Sequence, residues 1–374
     1  MAALIKSIQS VRFNLRKRKF STLLTMSSVK QVTPLVQTLF SGPIDIIGDI
    51  HGEYGALLSL LDRLGYDDLG NHPEDRKLVF VGDLVDRGPD SISVVRAVKQ
   101  LCESGKAQCI LGNHELNLLR GKRKHGNHWF YGETESICKG SKAISFQKLA
   151  KDESTRKEIL DFLGSLPVAL ERKDVRVVHA AWKDEMIGLL RECSGTVLDV
   201  FTEYEDKINK EIERKKISDK DLIELMRQNQ NPVKVCTSGL ECKVEEKFYA
   251  GGKWRTTDRY KWWEDATSTV SGSASVLTVV GHYWRRNMDR INPKVFEIHK
   301  EGFEPTGKDM FPNYGPFALL GPSKSVMCVD YAAGVRYEER GMGLPEGSIG
   351  TNMGALRLPE MVVVLDDGTD AKCE

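Results

Sequence analysis

A chain of 374 residues, 40% hydrophobic and 29% charged, has the apolar content to bury a full core as one large domain or a domain carrying an insertion. No apolar run approaches the ~18 to 20 residues of a bilayer-spanning helix, so nothing points to a membrane protein. The net charge of +1 conceals an asymmetry: residues 1–40 hold seven Lys and Arg and no acid, leaving 47 basic residues against 53 acids, a body of −6 that lacks the basic surface general nucleic-acid binding requires.

Residues 1 to about 25 are basic and hydroxylated, and Leu4, Ile8, Val11 and Leu15 share one helical face with Lys and Arg around it. This is the composition of an organelle transit peptide, most like a mitochondrial one, and Arg18-Lys19-Phe20-Ser21 resembles a processing site cut between Phe20 and Ser21. A disordered basic tail is the alternative. Initiation at Met26 would delete the segment and leave a cytosolic form. Residues 26–42 read as a linker. Eight cysteines are scattered without a spaced framework and no secretory signal is apparent, the usage of reduced thiols in an intracellular compartment.

From Pro43 an α/β pattern begins. Ile44 to Ile47 reads as a buried strand ending in Gly48-Asp49-Ile50-His51-Gly52, and an amphipathic helix follows at about Glu53 to Leu64, with Leu57, Leu60, Leu61 and Leu64 on one face. The second strand, Leu78 to Val81, ends in Gly82-Asp83-Leu84-Val85-Asp86-Arg87-Gly88-Pro89, and Asp90 and Ser91 open a second helix to about Cys102. The third, Gln108 to Leu111, ends in Gly112-Asn113-His114-Glu115. In each, a glycine precedes an Asp or Asn where the chain turns sharply after a strand. About 30 residues separate successive motifs, the length of a βαβ unit, so parallel neighbouring strands would bring the three turns together.

Further on, Val175 to Val178 ends in His179-Ala180-Ala181, and Val276 to Val280 in Gly281-His282-Tyr283. The strand ends together offer Asp49, His51, Asp83, Asn113, His179 and His282. Hard oxygens with imidazoles and no thiolate suit a pair of manganese, zinc or iron ions rather than calcium or a structural zinc site.

The remaining segments are less specific. Arg120 to His125 form a basic cluster followed by Trp129-Phe130-Tyr131, either a solvated loop or a grip for a further phosphate or an acidic substrate. Phe146 to Phe162 and Ser218 to Met226 read as helices, and Phe201, Tyr204, Ile208 and Ile212 recur at helical spacing amid charge. An insertion is expected at about 190–270, its aromatic part from Pro232 to Asp265 forming a lid over the site or a small satellite core. Met327 to Gly334 and Gly354 to Leu358 read as closing strands, followed by Met361 to Leu365, with 367–374 as a frayed tail.

With GDIHG at Gly48 to Gly52, GDLVDRG at Gly82 to Gly88 and GNHE at Gly112 to Glu115 in that order, and two later histidines, the chain resembles the calcineurin-like metallophosphoesterases. Within them it is similar to the phosphoprotein phosphatases and the bacterial symmetrical diadenosine tetraphosphatases. The resemblance spans Asp49 to His282. It implies an α/β fold of two mixed β-sheets packed as a sandwich with flanking helices, over a domain at 43–366. It implies that Asp49 and His51 hold one metal ion, Asn113, His179 and His282 the other, and that Asp83 bridges them. Arg87 would then grip the phosphate with its planar fork, and His114, held by Asp86, would protonate the leaving oxygen.

The surroundings depart from the family. Ile110-Leu111 precede GNHE where the phosphoprotein phosphatases read LRGNHE, and His179-Ala180-Ala181 stands where they read HGG and the tetraphosphatases HAG. A second phosphate-binding arginine expected between the late histidines is assigned to Arg255, with Arg259 the alternative. Pro312-Asn313-Tyr314 is similar to a tripeptide that brings a Tyr to the site. The expected activity is phosphomonoester hydrolysis, with protein phosphoserine or phosphothreonine as the leading substrate. The alternative is a dinucleoside polyphosphate or other nucleotide, its base stacked on Trp129 or the Trp254 to Trp263 aromatics and its further phosphates on Arg120 to Lys124. A non-catalytic scaffold is disfavoured because every expected ligand and the His114–Asp86 pair are present. No membrane partner and no particular oligomeric state are implied.

Overall fold

The structure, a computed structural model, describes residues 33–137, 145–250, 253–265, 276–286 and 310–374. The transit peptide expected at 1–25 lies outside them. The chain opens with β1 (Val36–Thr38) and then runs through three strand–helix pairs: β2 (Ile44–Ile47) and α1 (Tyr54–Leu64), β3 (Lys77–Phe80) and α2 (Ser91–Glu103), β4 (Ala107–Cys109) and α3 (Asn113–Leu119). α4 (Glu153–Leu163) leads to β5 (Ala169–Glu171) and β6 (Val175–Val178). Four helices follow, α5 (Asp184–Glu192), α6 (Val197–Arg214), α7 (Lys220–Asn229) and α8 (Pro232–Ser238), then a hairpin of β7 (Glu241–Ala250) and β8 (Lys253–Arg259). The remaining described elements are β9 (Leu277–Val280), β10 (Val326–Cys328), α9 (Arg336–Gly341), β11 (Gly354–Leu358), β12 (Val362–Leu365) and β13 (Asp370–Lys372).

Two mixed sheets result, in the orders β1-β5-β6-β9-β10 and β13-β12-β11-β2-β3-β4. Period-2 alternation divides their side chains. Ile44, Ile46, Val79 and Val81 form one core cluster with Val177, Val279, Met327 and Leu356, which seals the two sheets together. Ile47, Leu78 and Phe80 belong to the larger cluster, with Leu57, Leu60 and Leu64 of α1 and Val95 and Val98 of α2. β2, β3 and β4 are parallel neighbours, as are β6 and β9, so all five motif-bearing turns issue from carboxyl ends of strands.

Asp45 occupies the helix-facing side of β2 with no exposure. Its carboxylate takes Arg76 Nε at 3.1 Å, Arg357 Nε at 2.9 Å and the Tyr66 hydroxyl at 2.8 Å. Arg76, equally buried, also reaches the Leu358 carbonyl at 2.7 Å. The network stitches β2 to β11 and to the loop that enters β3.

Four expectations are corrected. Residues 36–38 are not linker but an edge strand, paired in parallel with β5, because Leu35 and Leu39 on either side are buried. The helix expected from Phe146 starts only at Glu153, where Asp152 accepts the Thr155 N–H at 2.7 Å. The residues before it are spent tying loops: Lys148 N–H donates to Pro89 O at 2.8 Å and Gln147 Nε2 to Gly126 O at 2.9 Å. The tail is not frayed, since β13 pairs antiparallel with β12. The strand at Met327 stops at Cys328, because Ala332 turns into the left-handed region (φ 63°), its N–H bound by Asp330 Oδ1 at 2.9 Å. Within 190–270, Ile208, Ile212 and Met226 of α6 and α7 make a small cluster of their own, whereas Trp262 and Trp263 belong to the main core.

Asp45→Ala would take a carboxylate from two guanidinium groups, leaving Arg76 with Glu360 at 2.9 Å and Arg357 with the Leu64 carbonyl at 2.6 Å, and removing one partner of a buried ion pair costs about 3–5 kcal/mol. The urea midpoint should fall accordingly; a shift worth under ~1 kcal/mol would mean that the network is dispensable.

Candidate metal centre

The turns converge because one carboxylate, Glu115, spans two of them. It is fully buried, and its Oε2 accepts the N–H groups of Gly112 at 2.9 Å and Asp83 at 2.8 Å, while Oε1 accepts that of Leu84 at 2.8 Å. The first turn is fixed by Asp83 itself, whose carbonyl receives the N–H groups of Ile50 at 3.0 Å and His51 at 2.8 Å. Gly112 is obligatory here. A Cβ on it would lie 2.3 Å from Asp83 Oδ1, which takes the His114 N–H at 2.9 Å.

Three imidazoles surround the Asp83 carboxylate. Its Oδ2 lies 3.7 Å from His51 Nε2, 3.9 Å from His114 Nε2 and 3.4 Å from His179 Nε2. Two trios of candidate ligand atoms share it, His51–Asp83–His114 and Asp83–His179–His282, each mutually within 4.8 Å. Asn113 Oδ1 joins the second, 3.2 Å from His179 Nε2 and 2.8 Å from His282 Nδ1. Asp49 Oδ2 is 3.9 Å from His51 Nε2, but it also accepts the His282 N–H at 3.1 Å and is turned toward that end of the site, which leaves His114 to complete the first trio.

The tautomers suit metal binding. His51 Nδ1 lies 3.1 Å from Val85 O and His179 Nδ1 2.7 Å from Val81 O. A ring N–H committed to a carbonyl leaves Nε2 with its lone pair facing the site. Burial first, then Arg87 for His51 and Arg259 for His282, holds these two imidazoles well below their ordinary range, hence neutral, as a ligand must be. Burial lowers His179 as well, but the Asp83 charge more than offsets it and the pKa is raised. Burial lifts Asp83, yet His179 and His114 outweigh it and keep the carboxyl well below the usual range. Burial and the neighbouring Asp330 and Asp83 raise Asp49. Burial pushes Asp330 up to about 6, and burial with the Asp83 charge pushes Glu115 up to about 7. A cluster of buried carboxyls and neutral imidazoles, one oxygen of Asp330 having no donor, fits divalent cations.

His114 Nδ1 lies 2.7 Å from Asp86 Oδ2, and the other oxygen of Asp86 takes the Trp129 Nε1–H at 2.9 Å. Trp129 is therefore a fully buried support, not a surface for a base. Arg87 reaches His51 Nε2 at 3.2 Å and His114 Nε2 at 3.3 Å. The alternative arginine is the one beside the metal ligands: Arg259 Nη1 lies 3.5 Å from His282 O and its guanidinium 5.6 Å from the Tyr283 ring. Arg255, paired with Phe248, stands four residues up β8, about 13 Å away at the rise of a strand. Tyr314 does not enter the site, since its hydroxyl donates to Glu264 Oε1 at 2.9 Å and accepts the Gly321 N–H at 3.1 Å. Glu115 stands within a recognised motif without a role, and Asp330 lies inside the strand expected from Met327 to Gly334; a charged residue in an otherwise apolar run is the available signal.

Residues 42–186 match the family model of the calcineurin-like phosphoesterases. The chain carries a calcineurin-like phosphoesterase domain. The asymmetrical bis(5'-nucleosyl)-tetraphosphatase PrpE of Halalkalibacterium halodurans is 45% identical over 171 residues, 43% of this chain and 65% of that protein. PrpE of Oceanobacillus iheyensis is 35% identical over 156 residues, 39% of this chain and 58% of that protein. The chain thus spans less than two thirds of these relatives' length. Among solved structures, the cold-active protein-tyrosine phosphatase of a psychrophile, Shewanella sp., is 17% identical, with 96% of this chain and 86% of that chain covered at a TM-score of 0.45.

Asp83→Asn is expected to abolish tight binding of divalent cations with the far-UV circular dichroism unchanged. Glu115→Gln keeps one acceptor oxygen for the Gly112 and Asp83 N–H groups but sets an NH2 against those of Leu84 and Val85, and weakening the support of a ligand typically costs 10–100-fold in metal affinity. Competition with a chelating dye measures both; wild-type affinity in Glu115→Gln would mean that the turns hold their places without it.

Proposed function

We propose that the chain is a phosphoesterase using a pair of manganese, iron or zinc ions, and that its substrate is a dinucleoside polyphosphate or another nucleotide phosphoanhydride. The observation that supports the chemistry is the sharing of Asp83 between two trios of ligand atoms, one of them including His114, with Arg87 beside that trio. His51 and Asp83 would hold one ion, with Asp49 turning from the His282 N–H to join them and so releasing His114 from that trio, and Asp83, Asn113, His179 and His282 would hold the other. When bound, the ions supply an activated water and positive charge for the phosphoryl oxygens. Arg87 orients the phosphoryl group with two N–H donors. His114 carries the proton for the leaving oxygen on Nε2, while Asp86 fixes the ring through Nδ1. Burial of Asp83, His51 and His179 keeps solvent from screening these charges.

The nucleotide class is supported by the relatives, which are named bis(5'-nucleosyl)-tetraphosphatases, asymmetrical and symmetrical. A phosphomonoester, including phosphoserine or phosphothreonine of a protein, is the second reading, and two observations favour it. Trp129, Trp262 and Trp263 are buried and offer no face to a base. A dedicated proton donor at His114 is of most use when the leaving group is an alkoxide.

A panel of dinucleoside polyphosphates, nucleotides, phosphopeptides and phosphosugars on metal-loaded protein separates the readings. The highest kcat/KM should fall on a nucleotide; a phosphopeptide at the top of the ranking would replace the first reading with the second. His114→Asn should keep both metals and lower turnover by about 10²–10⁴ on alkyl phosphates, with a smaller loss on aryl phosphates, whose leaving group needs little protonation. Equal loss across leaving groups, or a greatly raised KM, would show His114 to be a binding residue. The basic segment at 1–25 is proposed as a mitochondrial signal; a reporter on the full chain should reach mitochondria and one on the form starting at Met26 should not, and identical distributions refute it.

A further inference from the structure

Arg87 approaches the centre from a left-handed backbone (φ 67°), its N–H on Gly126 O at 3.0 Å. Among the described residues its guanidinium makes no ion pair with a carboxylate; its contacts are the two imidazoles and, on a face, the indole of Trp284, 5.3 Å from guanidinium carbon to ring centroid. A long side chain that ends without a carboxylate partner swings freely unless something else fixes its plane.

Two features fix it. Gly334 leaves the room the guanidinium occupies, since a Cβ there would stand 2.7 Å from Arg87 Nη1 and 2.3 Å from His51 Cδ2. Trp284 backs it. The indole is half-buried against the cluster of Ala332, Val335 and Ile349, separate from the main cores, on which Met342 and Leu344 also pack. That cluster cannot give way, because the segment around it is pinned by charge. Buried Glu339 accepts the N–H groups of Gly347 at 2.9 Å and Ile349 at 2.8 Å, Arg340 Nη2 reaches Glu53 Oε2 at 2.6 Å, and Arg336 Nη2 reaches Asp366 Oδ2 at 2.7 Å.

We propose that Trp284 is the positioning residue for Arg87, seating its guanidinium in the space left by Gly334 so that the fork is fixed before a phosphoryl group arrives. The inference rests on the reading of Arg87 as the phosphate grip. An electron-rich ring face attracts a cation most strongly where water is scarce, and a fixed donor pair loses less freedom on binding than a mobile one.

Inorganic phosphate is the probe, as a competitive inhibitor of the metal-loaded protein, with metal content measured alongside. Trp284→Leu should raise both the phosphate inhibition constant and KM by roughly tenfold with both metals retained, while Trp284→Phe keeps most of the affinity. Trp284→Met fills the cluster without a ring face and carries the same expectation should the leucine variant not fold. In an Arg87→Ala background, Trp284→Leu should add nothing, since the two act as one unit. An unchanged inhibition constant, an undiminished effect without Arg87, or loss of metal would each overturn the seat. Arg87→Ala with unaltered phosphate affinity would instead overturn the grip on which the seat depends.

Discussion

Everything in the site hangs on the Asp83 turn. Its carbonyl holds the turn of β2, its N–H is held by the carboxylate that also holds the turn of β4, and its side chain faces imidazoles from both sheets. A buried carboxylate is costly unless it is compensated, and here the compensation comes from His179, His114 and His51. The converse also holds, since the neutral imidazoles and the crowded Asp49–Asp330 pair leave the pocket with more ligand lone pairs than donors, an arrangement that a cation relieves. The sandwich serves this constraint by placing the carboxyl ends of β2, β3 and β4 on one sheet opposite those of β6 and β9 on the other.

The convergence carries a cost in backbone conformation. His51, Asp83, Asp86, Arg87 and His282 all lie at positive φ, between 48° and 75°. Such residues persist only where the surroundings over-determine them, and they concentrate where a side chain must be aimed. In the Asp83 turn the over-determination is explicit, since each N–H from Asp83 to Asp86 has a named acceptor: Glu115 for the first three and Ser91 Oγ, at 3.0 Å, for Asp86. The core strands beneath, with Ile46, Val79 and Val81 fully buried, supply the rigid floor.

Legibility in the sequence followed the range of the interaction. Strands β2, β3, β6 and β9 were readable because short apolar runs ended in glycine and a polar residue, and the spacing of the first three motifs required parallel neighbours. The ligands were readable for the same reason, as residues at strand ends. What escaped were contacts whose partners are distant in sequence and whose residue types are ordinary. Asp330 meets Asp49 across the sandwich, Trp284 meets Arg87, and Trp129, conspicuous as an aromatic, spends its indole N–H on Asp86. Arg255 and Arg259 were indistinguishable from spacing alone; the register of the hairpin separates them. The edge strands β1 and β13 were missed because three residues of mixed polarity at a sheet edge carry no periodic signal.

The candidate site draws on two parts of the chain, one inside the family match and one beyond it. The family match ends at residue 186, beyond His179 but before His282, Trp284, Arg259 and the whole stretch from Ala332 to Thr351. The matched segment supplies Asp49, His51, Asp83, Asp86, Arg87, Asn113, His114 and His179, most of the residues proposed above to hold the ions and the phosphoryl group. The unmatched part supplies the last imidazole, a second arginine and the wall behind Arg87. Likeness over the first part therefore bears on the ligand set more than on what surrounds it. The wall is built for rigidity, with Glu339 fully buried and its oxygens shared between main chain and Thr351. A rigid wall behind a seated arginine fixes where the guanidinium lies, so what it constrains is the phosphoryl group that the guanidinium would grip and not the leaving group beyond it.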